Sequence, residues 1–103
     1  AMTKLGTMVR GMVREAIDAF VREDVAMARA VIDRDDAVDE LYHQTFRTVV
    51  DQMRESPASV AAGTCVLSML KVVERMGDHA TNLAEQVIFM LRGQEARHPH
   101  LRE

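Results

Sequence analysis

Tryptophan is absent from these 103 residues and aromatic side chains make up only 4% of them, so the core must be aliphatic and methionine-rich. Eight methionines within 48% apolar content meet that demand, as helical bundles permit. Cysteine occurs once, at Cys65, which removes an intramolecular disulfide and any cysteine-based zinc site and fits a reducing cytosol. Proline occurs only at 57 and 99 and glycine only at 6, 11, 63, 77 and 93, so nothing between residues 12 and 56 has to break a helix. A cluster of one charge is also missing. The 13 Lys and Arg alternate with 16 Asp and Glu for a net charge of −3, which disfavours direct nucleic-acid recognition. No apolar run approaches the roughly 18–20 residues of a spanning helix, and the N-terminus lacks a signal-peptide layout. The expectation is a cytoplasmic protein that is not transmembrane, with a peripheral membrane role left open.

What is present is helical periodicity. Leu5, Met8, Met12, Ala16, Ala19 and Phe20 recur at spacings of three and four, marking an apolar face on a first helix over about residues 3–22. Arg22-Glu23-Asp24 breaks the pattern, and Asp24 is an N-cap for a second helix over 24–55. Its stripe is Val25, Ala28, Ile32, Tyr42, Phe46, Val49 and Met53. Ser56 and Pro57 supply an N-cap and a first-turn residue for a third helix over 57–92. That helix carries Val66, Leu70, Val73, Met76, Leu83, Val87 and Leu91, with Gly93 as its stop. The fold class is therefore all-α, an antiparallel three-helix bundle with long second and third helices. Residues 1–93 form a single domain, and 94–103, with His98-Pro99-His100, form a flexible tail.

Two Asp/Glu-x-x-x-Asp pairs, Asp35 with Asp39 and Glu74 with Asp78, lie almost symmetrically about Ser56-Pro57. Folding the hairpin there brings Asp35 to Asp78 and Asp39 to Glu74. Like charges four apart cost an isolated helix about 0.2–0.5 kcal/mol per pair, so the quartet needs compensation. One source is ion pairing with Arg34, Lys71 and Arg75 on a solvated face. The other is a bound cation, for which an all-carboxylate set suits hard ions such as magnesium, with manganese or iron as redox-active options. Gly77, across from Asp36, permits close approach of helices or ligands. Asn82 and Glu85 continue the stripe of the third helix, Asn82 as a second hydrogen-bonding shell or as a polar edge residue. His43, four residues past Asp39, and His79, on a face about 100° from Asp78, are further candidates, the latter for a second ion. Glu40 to His43 matches one Glu-x-x-His of a di-iron bundle, but such a site needs two. Cys65 lies among small and apolar residues and reads as an inert buried thiol.

The stretch VVERMGDHATNLAEQVIFMLRGQEARH, residues 72–98, resembles the terminal helix of the PhoU family of phosphate-uptake regulators, and DRDDAVDELY, residues 33–42, resembles the matching acidic segment. Glu-Arg-x-Gly-Asp-His-x-x-Asn is the specific part of the likeness. The resemblance implies that Asp35, Asp39, Glu74 and Asp78 are metal ligands in a surface cluster, in some members multinuclear iron or zinc, with Asn82 at the family's asparagine. It further implies a non-enzymatic regulator that works as an adaptor between a phosphate ABC transporter and a sensor histidine kinase, keeping phosphate-starvation signalling off. Typical members carry two three-helix repeats, whereas this chain has one, resembling the second.

Two other functions stay open on the residues alone. A carboxylate-bridged hydrolase or oxidase would use the same ligands to activate water or oxygen, and a purely structural helical module would use the acids only as solvated surface. Val9, Val13, Ile17 and Val21 form a second apolar line on the first helix and lead to the expectation of a homodimer through that face.

Overall fold

Asp24 does what its position promises: its carboxylate accepts a hydrogen bond from the Met27 backbone N–H at 3.0 Å, closing one helix end and opening the next. Immediately before it, Glu23 takes a left-handed backbone conformation, φ 54°, to reverse the chain. The computed structural model describes residues 2–97, with side-chain surroundings through residue 93. The elements are α1 (Met2–Arg22), α2 (Val25–Asp33), α3 (Asp35–Glu55), a 3-10 turn at Pro57–Ser59, and α4 (Val60–Arg97). The second predicted helix is thus two helices in line, and three helical rods run up, down and up in a bundle of 66 × 17 × 16 Å.

The break at Arg34 is a correction to the continuous helix predicted over 24–55. No glycine or proline causes it. Arg34 has φ −84° and ψ −12°, and its Nη2 donates to Glu15 Oε1 of α1 at 2.6 Å, so a half-buried ion pair between rods accompanies the local tightening. At the next turn Ser56 is the N-cap and Pro57 lies in the first turn, as expected, but the Ser56 side chain makes no capping bond; the Ser59 hydroxyl instead donates to the carbonyls of Gln52 and Ser56. Gly93 does not stop α4, which runs on to Arg97. The His98-Pro99-His100 part of the expected tail lies outside the described residues.

The core is aliphatic as composition required: Leu5, Met12, Val31 and Val87 are its largest fully buried members, with alanines at 16, 19, 28 and 84 letting the rods approach. Two assignments on α1 change places. Val9 is 2% exposed and belongs to the core, whereas Phe20 is 51% exposed. On α4, Met76 also leaves the predicted stripe, at 50% exposure. Gly77 is buried where a β-carbon would touch Val9 and Val38 at 3.6 and 3.8 Å, so it serves the contact among α1, α3 and α4 and not a ligand. Nor is the spanning-length expectation upheld by every measure: by length and composition Pro57–Gly93 is apolar enough to cross a bilayer, and only 6% of its most apolar window is buried.

Candidate metal centre

Asp35 opens α3, and with Asp36 it occupies the first helical turn, where unpaired backbone N–H groups favour negative charge. The break at Arg34 creates that N-terminus, so the sequence expectation of a mid-helix Asp35 missed one source of carboxylate stabilisation. Asp35 Oδ1 accepts a hydrogen bond from the Thr81 hydroxyl at 3.2 Å, which ties it to α4. The predicted partner was Asp78, one turn earlier on the same stripe. Met53 against Gly63 and Val38 against Gly77 carry the same displacement, so the α3–α4 register is shifted by roughly one turn from the symmetric hairpin.

That shift leaves the carboxylates along one seam. On α3, Asp35, Asp39 and Tyr42 follow each other at spacings of four and three; on α4, Glu74, Asp78, Thr81 and Glu85 do the same. Tyr42, 7% exposed, is the buried member of the α3 line. Burial first, then the negative charges of Glu74 and Asp39, push its hydroxyl pKa above the ordinary tyrosine value. Asp35 and Glu74 are half-buried, while Asp39 and Asp78 are exposed.

Ion pairing with arginine and lysine, the alternative to a cation, is not made among the described residues. Among the described residues the ion pairs are Arg34 with Glu15 and Arg54 with Asp51 at 4.0 Å, and the His43 ring nitrogen lies 3.5 Å from Asp39. Arg34 therefore serves α1 and not Asp35, and Lys71 and Arg75 reach none of the quartet. Four carboxylates and a threonine hydroxyl constitute a hard oxygen set that fits a divalent or ferric ion. They are not gathered: among the described residues no group of three or more His, Cys, Asp or Glu side chains is already placed to hold an ion.

The remaining candidates are dispersed. His43 is exposed and turned to Asp39, with its ring edge-on to Tyr42 at 5.2 Å. His79 and Asn82 are exposed on α4. Glu85 lines a groove of about 470 Å³ between α2 and α4 with Arg29, Asp33, Phe89 and Arg92. Cys65 is exposed, against the expectation of burial. Thr81 and Tyr42 are the site neighbours that sequence reasoning passed over as functional, although both fall on the acidic lines at helical spacing.

The description "PhoU domain" matches residues 2–87. The chain is 41% identical over 98 residues to the phosphate-specific transport system accessory protein PhoU homolog of Pseudomonas putida, covering 95% of this chain and 38% of that protein. The homolog of the same name from Caulobacter vibrioides is 38% identical over 95 residues, 92% of this chain and 41% of that protein. A crystal structure of PhoU from Pseudomonas aeruginosa superposes with a TM-score of 0.85 at 40% identity, covering 88% of this chain and 44% of that one. The chain spans less than half the length of these relatives.

Proposed function

The chain belongs to the PhoU domain family, and from that premise we propose that it is a metal-binding, non-enzymatic regulator of phosphate uptake. It works in the cytoplasm as an adaptor between a phosphate ABC transporter and a sensor histidine kinase. The name of the relatives, accessory protein of the phosphate-specific transport system, supports the transport half of this reading. The kinase half rests on the family resemblance of residues 33–42 and 72–98.

The observation that carries the metal reading is a set of carboxylates without a lysine or arginine partner among the described residues. Asp35, Asp39, Glu74 and Asp78 border one seam, and none is within 4.0 Å of a lysine or arginine nitrogen among the described residues. Iron, zinc or manganese held by these four would offset part of their negative charge, and open coordination positions on the ion would then meet phosphate oxygens. Thr81 holds Asp35 toward α4, and His43 is positioned to turn from Asp39 to an ion.

Elemental analysis of protein purified without chelators tests this reading. At least one equivalent of a transition metal is expected in the wild type and less than a tenth of that in the Asp35, Asp39, Glu74, Asp78→Ala variant. Equal metal in both, or none in either, contradicts it. Turnover of phosphoesters or peroxide with manganese or iron added would instead favour the hydrolase or oxidase.

A further inference from the structure

Tyr42 is only 7% exposed, yet among the described residues its hydroxyl makes no hydrogen bond to a protein atom. No fully enclosed side-chain oxygen or nitrogen among those residues lacks a partner, so the Tyr42 oxygen keeps some contact with solvent. A buried ring that brings a bare hydroxyl to the edge of the bundle calls for a partner outside the protein.

The α3–α4 register says where that oxygen emerges. Asp35 with Thr81, Val38 with Gly77 and Met53 with Gly63 are antiparallel neighbours along the length of the contact. Seven residues on from Asp35 and seven back from Thr81, Tyr42 stands level with Glu74. Four residues in each direction bring Asp39 level with Gly77, next to Asp78. Asp39 and Tyr42, three apart on α3, share a face, as do Glu74 and Asp78, four apart on α4. The electrostatics agree with the register: after burial, the charges acting on the hydroxyl are those of Glu74 and then Asp39, one from each helix.

We propose that the Tyr42 oxygen is a further ligand of the metal centre formed by Asp35, Asp39, Glu74 and Asp78, and that it makes this centre select ferric iron over zinc and manganese(II). The inference rests on the metal-binding reading above and adds to it a residue and a specificity. A tyrosine is a strong donor only as the phenolate, and near pH 7 its protonated form outweighs the phenolate by roughly a thousandfold. Tyr42 releases its proton to water beside a trivalent charge; beside a divalent ion it stays protonated, leaving the carboxylates as ligands. A fifth negative oxygen next to four carboxylates is tolerated only when the ion brings more than two charges. The donors are also all hard oxygens, whereas zinc is well served by nitrogen and sulfur.

Tyr42 is the single tyrosine of the chain, so a visible phenolate-to-iron absorption can come from no other residue. The test titrates the chelator-stripped full chain with ferric nitrilotriacetate, and in parallel with zinc and with manganese(II), in the wild type and in Tyr42→Phe, whose ring keeps the buried packing. The wild type is expected to colour as it takes up iron and to stay colourless with the other two ions. Tyr42→Phe is expected to bind iron without the visible band and about 10–100-fold more weakly, with zinc and manganese binding and helix content unchanged. Iron bound by the wild type without that band overturns the role of Tyr42 and leaves the carboxylate centre standing. An equal loss of all three ions in Tyr42→Phe also overturns it, since that outcome marks packing and not ligation. Wild-type protein that takes up zinc or manganese but no iron overturns this inference alone, and protein that takes up none of the three overturns the metal reading with it.

Discussion

Tyr42 is the only tyrosine in a chain without tryptophan, so its ionisation can be followed by absorbance without interference. It is buried on the α3 acidic line, and burial, Glu74 and Asp39 all raise its pKa. The unfolded chain therefore loses the phenolic proton first, near pH 10. A raised folded pKa means that the associated stability is fully present below about pH 10 and is lost as pH rises through the folded midpoint. We expect a native-state midpoint above 10 that moves down in Glu74→Gln. A midpoint at the ordinary value, or one that ignores Glu74→Gln, would show that the α4 carboxylate does not face Tyr42. The ion pair of Arg34 with Glu15 belongs to the same scale: one side chain reaching across the bundle accompanies the end of α2 and the start of α3 at Asp35.

At the scale of elements, two glycines on α4 have opposite roles. A β-carbon on Gly63 would come within 2.5 Å of Met53 Cγ, so Gly63→Ala must displace a partly buried side chain of the facing helix. On Gly93 it would meet nothing within 4 Å. Gly63→Ala is expected to lower stability by about 1 kcal/mol, overpacking outweighing helix propensity, and Gly93→Ala to raise it by up to about 1 kcal/mol. Urea melts of both variants check this; a loss at Gly93 would mean that α4 ends there, as glycine's stop signal led the sequence reading to expect. Helix number, the Asp24 cap and the Pro57 turn were legible because each has a local chemical signal. The break at Arg34 was not, since its cause lies 19 residues away on another rod. The one-turn register shift was not legible either, because hairpin symmetry about Ser56-Pro57 ignores the three residues spent in the 3-10 turn. The acidic quartet was found by spacing alone, but its coupling to Thr81 and Tyr42 required that register.

Across the whole molecule, chemistry is segregated by face. The α3–α4 seam carries carboxylates without a lysine or arginine partner among the described residues, while the α1–α4 side carries an apolar groove. The central claim is that a cation gathers Asp35, Asp39, Glu74 and Asp78 in the folded chain and nowhere else. A ligand bound only by the native state adds about 2.7 kcal/mol at a hundredfold excess over its Kd, which for a domain of this size raises Tm by roughly 10 °C or more. The measurement is the Tm of chelator-stripped protein, alone and with manganese, zinc or iron, beside the four-alanine variant. A rise of that order is expected in the wild type with at least one of these ions and none in the variant. A wild-type Tm unmoved by every ion, or an equal rise in the variant, would contradict it.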